Sequence, residues 1–337
     1  MGKNEERRLI LKMLEEGTIS TEEADKLMEA LEEESGPSSG GESGSALQEP
    51  QQQLPELVKG ALKSLKGSGF FGFGSAVSYE REVTGSFSDD AGTVDVQLAG
   101  RNGRMQLQGW DEDDFLIKIR AKVRGGGKEA ARDAAEKFCQ LKAEDASLIV
   151  DGRTDMPPNT SIALEVYLPE NFRYSLDLHT SNGRLSINDL TCTEVEAKTS
   201  NGRVACTGVN AEEKMRLVTS NGRVQAKNFS GSIDAQTSNG RIRLEPSLST
   251  TSSDYKARTS NGSIRLALPA TEPLSVSFEA RTSNGKVKTD LEDLEYEIDD
   301  NKGRRRSHVK AKTTGFEQAD VQITADLKTS NGSIRLK

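Results

Sequence analysis

The acid–base chemistry available to this sequence is small. Two histidines, His179 and His308, are the only side chains that ordinarily ionise near neutral pH. No nucleophile elbow, phosphate loop or metal-spaced cluster accompanies them. No catalytic residue, cofactor or metal ligand is assigned, and the chain reads as a non-enzyme. Its basic residues are better organised. Just after a repeated four-residue phrase, one column reads Arg104, Arg184, Arg203, Arg223, Arg241, Ser263, Lys286, Ser333, and the column two residues on reads Gln106, Ser186, Ala205, Gln225, Arg243, Arg265, Lys288, Arg335. Ten of these sixteen positions are basic and none is acidic, so they can hold a repeating anion. The candidate anion-binding face is Arg184, Arg203, Arg223, Arg241, Arg243, Arg265, Lys286, Lys288 and Arg335.

A competing reading is a striped surface that neutralises itself. The column three places before the phrase's corner reads Gln97, Asp177, Glu196, Arg216, Asp234, Lys256, Glu279, Asp326, which is mostly acidic. If the two columns lie side by side, the arginines are surface decoration.

The phrase that sets these columns is Thr-Ser-Asn-Gly, which begins at Thr180, Thr199, Thr219, Thr237, Thr259, Thr282 and Thr329. A period near twenty residues is the mark of a solenoid, one coil per repeat. Apolar residues flank each copy at every second position, for example Val195 and Ala197 before, then Val204 and Cys206 after. Period two means strand, so each coil is strand, corner, strand. The expected corners are Asn182 with Gly183, Asn201 with Gly202, Asn221 with Gly222, Asn239 with Gly240, Asn261 with Gly262, Asn284 with Gly285, and Asn331 with Gly332. Asn-Gly is expected there because it tolerates positive φ, and stacked asparagines can form an amide ladder. A degenerate corner at Asn102–Gly103 brings the count to at least eight coils. The fold class is all-β, a right-handed parallel β-solenoid.

Composition agrees. Of 337 residues only 34% are hydrophobic and 5% aromatic, which suits a thin core two short strands wide. No apolar run approaches the ~18 residues of a membrane span, and the charged start lacks a secretory signal, so the expected location is cytoplasmic, with membrane association left open. Of three cysteines, Cys206 falls in a core column and reads as a buried thiol; Cys139 lies in an expected helix and Cys192 near a corner.

Four segments are expected. Residues 1–34 form a helical hairpin, with stripes Leu9, Ile10, Met13, Leu14 and Ala24, Leu27, Met28, Leu31, and a capping box from Ser20 to Glu23. Too small to stand alone, it needs a partner or a second copy, so residues 4–33 are a self-association candidate. Residues 35–55 are a linker. Residues 56–75 are an amphipathic helix ending in Phe70, Phe71 and Phe73, either a plug for the solenoid's open end or a membrane-resting segment. Residues 76–337 are the solenoid, with a helix inserted at 127–141 and a charged excursion at 290–307. A degenerate coil carrying Val309, Ala311 and Thr313 follows, and the final strand, 334–337, leaves little room for a cap. The first sixty residues hold six basic and fourteen acidic residues, the whole net charge of −8.

The hairpin with its Glu-Gly-x-Ile-Ser-x-Glu-Glu-Ala pattern, the linker and the Thr-Ser-Asn-Gly solenoid together resemble a bacterial family of candidate adhesins. Within it they look most like the YvlB/LiaX-type envelope-stress proteins of Gram-positive bacteria, with a SHOCT-like helical module in front. The resemblance implies a β-solenoid that senses or answers damage from envelope-directed antimicrobials, with no catalytic residues to carry over. The expected partners are proteins of the envelope-stress system, an anionic membrane surface or a cell-wall polymer, and no nucleic acid. An adhesin-like scaffold that binds polysaccharide or self-associates is the alternative.

Overall fold

The computed structural model describes residues 76–337 apart from 138–139, 145, 153–158, 249, 270–274 and 302–305. The segments assigned to 1–34, 35–55 and 56–75, and Cys139, lie outside the described residues.

The chain enters through β1 (Ala76–Gly85) and winds a coil from β2 (Val94–Asn102) and β3 (Met105–Trp110). It continues through β4 (Phe115–Arg124), helix α1 (Lys128–Lys137), β5 (Gln140–Glu144), β6 (Ser147–Gly152) and β7 (Thr160–Pro169). Consecutive coils follow from β8 (Tyr174–Asn182) and β9 (Leu185–Asn188), β10 (Thr191–Asn201) and β11 (Val204–Thr207), and β12 (Asn210–Asn221) running into β13 (Val224–Asn239). Next come β14 (Ile242–Pro246), β15 (Ser253–Asn261), β16 (Ile264–Leu266), β17 (Val276–Asn284) and β18 (Val287–Thr289). The chain closes with β19 (Leu294–Asp300), β20 (Ser307–Thr313), β21 (Ile323–Asn331) and β22 (Ile334–Leu336).

Strands before a corner form one parallel sheet and strands after it form another, as the period of two requires. We call the post-corner sheet A and the pre-corner sheet B. Register is strict: Asn201 pairs with Asn182 on one side and Asn221 on the other. Inward columns such as Leu176, Val195, Met215, Ile233 and Tyr255 are buried, and the side chains that alternate with them are exposed or half-buried apart from Asp234. Each buried leucine- or isoleucine-sized side chain contributes roughly 1.5–3 kcal/mol, so a thin core sustained over many coils suffices.

Spatial order departs from chain order at both ends. The coil of β21 and β22, last in the chain, lies between β15–β16 and β17–β18. Volume explains the insertion. Ala325 faces Tyr255 on one side and Phe278 on the other, so a small residue separates two bulky inward aromatics. At the opposite end β2 and β3 lie between the coil of β6 and β7 and the coil of β8 and β9.

Antiparallel strands close the stack. At one end β4 runs antiparallel to β7 and β1 to β4, while β5 runs antiparallel to β6. At the other β20 runs antiparallel to β17 and β19 to β20. The expected coil at Val309 to Thr313 is therefore a return strand, because its partner β17 is already flanked in parallel by β21. The charged excursion contains β19, and the inserted helix is described over Lys128–Lys137, with Ala131, Ala134 and Ala135 buried. Phe87 packs on Phe115, Phe172 and Tyr174 with ring centroids at 5.0, 5.6 and 6.4 Å, filling the core near β4 and β8.

Candidate anion-binding face

The corner fixes the spacing of everything on the face, and it does so by three rows of hydrogen bonds. The side-chain amide of each corner asparagine donates to the next: Asn182 to Asn102 at 2.8 Å, Asn201 to Asn182 at 2.8 Å, Asn221 to Asn201 at 2.9 Å and Asn239 to Asn221 at 2.9 Å. The ladder continues in spatial order, Asn261 to Asn239, Asn331 to Asn261 and Asn284 to Asn331, each at 2.8 Å. Corner glycine N–H groups donate to the neighbouring asparagine carbonyl, as Gly202 does to Asn221 at 3.1 Å. Buried threonine hydroxyls donate to the glycine carbonyl one coil away, as Thr219 does to Gly202 at 3.0 Å and Thr282 to Gly332 at 2.9 Å. Three of the phrase's four residues are thus accounted for. The serines, Ser181, Ser200, Ser220, Ser238, Ser260, Ser283 and Ser330, are exposed.

The reason for glycine differs from the expected one. Gly183, Gly202, Gly222, Gly240, Gly262 and Gly285 do not adopt the left-handed conformation. A Cβ at Gly222 would instead lie 1.8 Å from the carbonyl oxygen of Gly202, and one at Gly240 would lie 1.7 Å from that of Gly222. Stacked backbone, not positive φ, excludes a side chain. Left-handed residues sit at the opposite bend, at Asp189 (φ 51°), Gly208 (φ 67°) and Asn228 (φ 47°).

Immediately after each corner the chain enters sheet A with alternate residues buried, Leu185, Val204, Val224, Ile242, Ile264, Val287 and Ile334 among them. The candidate cations lie between these and therefore face outward. In space the first column runs Arg104, Arg184, Arg203, Arg223, Arg241, Ser263, Ser333, Lys286, because the inserted last coil precedes Lys286. The second column places Arg243 in register with Arg265, Arg265 with Arg335, and Arg335 with Lys288. Backbone bonds hold the first column, since Leu185 N–H donates to the Arg203 carbonyl at 2.9 Å and Val204 N–H to that of Arg223 at 3.0 Å.

Few of these cations meet a carboxylate. Arg104 pairs with Glu165 at 2.6 Å, Arg243 with Glu245, and Arg335 with Asp290 at 3.5 Å. Arg203 donates to Gln225, and Arg241 to the Ser263 hydroxyl at 3.1 Å. Among the described residues, Arg184, Arg223, Arg265, Lys286 and Lys288 form no salt bridge. Burial, then the charges of Arg223 and Arg184, hold the Arg203 guanidinium below the ordinary arginine value. The Nε atoms of Arg203 and Arg265 are buried without a hydrogen-bond partner.

The acidic column does not lie beside the arginines. It is on sheet B, where the corner turns it away from sheet A and where it meets its own cations. Asp177 pairs with His179 at 2.7 Å, Glu196 with Lys198 at 2.5 Å and Arg216 at 3.5 Å, and Asp326 with Arg258 at 2.7 Å. Glu279 pairs with Arg281 and, at 2.7 Å, with His308. Both histidines thus lie within hydrogen-bond distance of a carboxylate on sheet B. Asp177, His179 and Glu196 bring three donor atoms within 4.8 Å of one another, but two cations already hold Glu196. A shallow hollow of about 190 Å³ on the same sheet has mixed charge, from Asp254, Lys256, Glu279, Lys310 and Asp326.

Cys192 and Cys206 are free and fully buried, and burial pushes the Cys192 thiol up to about 12, so both serve the core. No helix among the described residues is long and apolar enough to cross a membrane. Sequence reasoning missed that Arg335 separates Arg265 from Lys288. A signal for it existed: residues 259–266 and 329–336 are the same octapeptide, Thr-Ser-Asn-Gly-Ser-Ile-Arg-Leu.

Over 374 aligned residues the chain is 27% identical to the uncharacterized protein YvlB of Bacillus subtilis (strain 168), covering 99% of this chain and 98% of that one. Among solved structures, a candidate cell adhesion protein of Clostridium sporogenes is similar at 12% identity, over 77% of this chain and 99% of that one, with a TM-score of 0.34. A candidate adhesin of Bacteroides fragilis is similar at 11% identity, over 78% and 97% of the two chains, with a TM-score of 0.29. Residues 5–36 match the SHOCT-like domain. Residues 173–337, the stretch that carries every perfect phrase and all nine candidate cations, match the Toastrack family (DUF4097).

Proposed function

We propose that this chain is a non-enzymatic binding and regulatory protein of the bacterial envelope-stress response, whose solenoid presents sheet A to an anionic surface or partner. The observation that carries the binding role is electrostatic segregation. Most of the acidic column of sheet B pairs with cations of its own sheet, whereas the two post-corner columns of sheet A contain no acid and, among the described residues, leave seven of their ten cations without a carboxylate. Like charges in register are about 4.8 Å apart, well inside a Debye length of ~8 Å, so the array is held against its own repulsion and gains from a counter-anion. The envelope-stress role rests on the resemblance to YvlB/LiaX-type proteins, and a cytoplasmic location belongs to the same reading. The antiparallel strands that flank sheet B at both ends weigh against a scaffold that grows by end-to-end addition of copies.

Cation-exchange chromatography at low salt tests the face. A protein of net charge −8 is expected to flow through unless its positive charge is concentrated on one side. Full-length protein should be retained and released by salt, and Arg203→Gln/Arg223→Gln/Arg241→Gln should flow through. Unretained wild-type protein would remove the binding role.

A further inference from the structure

The arrangement of the cations says more about the ligand than its sign. The first row runs from Arg104 to Arg241, and in the coil of Arg241 it steps across to Arg243, from which the second row continues through Arg265 and Arg335 to Lys288. The result is one unbroken line of nine cations. It crosses eight coils, roughly 34 Å at about 4.8 Å per coil, and is only two residue positions wide, about 7 Å. A bilayer would be met by a plane of charge. This is a line.

We propose that the face takes a linear phosphate polymer laid along the stack axis, successive phosphates meeting successive coils. The inference rests on the anion-binding reading above and names its ligand class. Eight of the nine cations are arginine, whose planar fork matches paired phosphate oxygens better than an ammonium does. No aromatic residue occurs at the sixteen positions of the two columns, which gives nucleic-acid bases nothing to stack on and leaves the phosphate chain as the recognised feature.

Full-length protein is titrated with inorganic polyphosphate of increasing chain length, orthophosphate, polyglutamate of matched length, and phosphatidylglycerol vesicles. Polyphosphate should bind, more tightly with length until the chain spans both rows, and orthophosphate should not. Arg203→Gln/Arg223→Gln should lower the slope of log affinity against log salt by about one per arginine removed. Melting curves establish that the variant folds. Equal binding of polyglutamate, or polyphosphate affinity independent of length, overturns the phosphate-polymer assignment while leaving an anion-binding face. Vesicle binding without polyphosphate binding does the same in favour of a surface. If no probe binds, the anion-binding reading falls as well.

Discussion

Asn331 donates its side-chain amide to Asn261 at 2.8 Å and accepts that of Asn284 at 2.8 Å, so the last repeat of the chain bridges two earlier ones. Deleting residues 323–337 therefore removes an interior coil. In a solenoid stacked in chain order, loss of a terminal coil costs one interface. Here it should also detach β17, β18 and the return strands β20 and β19. Hydrogen exchange should show protection lost across 276–313 and kept in β8 to β12. Protection retained in β17 would contradict the inserted position.

Gly222→Ala places a methyl group against the Gly202 carbonyl and should cost about 1–3 kcal/mol, the range for overpacking a rigid site. Gly222→Asn should cost at least as much, although asparagine is tolerated where positive φ is the requirement. Gly92→Ala, which has open space around it, is the control. Thermal melts decide, and a harmless Gly222→Asn would restore the conformational explanation.

Asn221 gives one amide bond and receives another, so Asn221→Asp should destabilise by about 1 kcal/mol. An ionised aspartate can accept from Asn239 but cannot donate to Asn201. The penalty should therefore shrink as pH falls through the carboxylate range. Denaturant melts at pH 4 and pH 7 would read this, and a pH-independent penalty would argue against the donor role.

Burial alone raises the Glu279 carboxyl, but hydrogen bonds from His308 and Arg281, and their charges, hold it below the ordinary glutamate value. A depressed folded pKa gives stability that is complete above the unfolded value of about 4.3 and is lost as pH falls through the folded value. Glu279→Gln should accordingly flatten the acid side of the stability profile. The effect should be local, because Glu279 is on β17 and His308 on β20, and proteolysis at 290–307 should quicken in acid for the wild type.

On the non-enzymatic reading proposed above, the protein should release no new reducing or unsaturated ends from acidic or neutral polysaccharides. A reproducible product would return catalysis to consideration.

Much of this architecture was legible in the sequence, because period two and an identical corner phrase leave little freedom. Val195, Ala197, Val204 and Cys206 are all buried, as their spacing predicts. Coil order was not legible from the repeat itself. Identical phrases stack equally well in any order, and the information lies in volume, where Ala325 fits between Tyr255 and Phe278. The charge balance of the face was left open for a related reason. Counting residues from the corner gives a column's distance along the chain, but the corner between Glu196 and Arg203 puts them on different sheets. Glycine was assigned correctly at the corners, but at six of the seven its cause is backbone stacking, which leaves no trace in local propensity; Gly332 alone of the seven also has a positive φ, 157°.

The crossed order of the coils also bears on how the protein is made. The middle coils, from Tyr174 to Leu266, can assemble one after another as they leave the ribosome. Neither end can. The coil of β2 and β3 must wait for β6 and β7, and the gap between β16 and β18 stays open until Leu336 has been synthesised. A prematurely terminated chain thus leaves two parallel strand edges facing each other without their common neighbour, a surface on which strands of other chains can pair. Synthesis of β22 and closure of this gap are the same event.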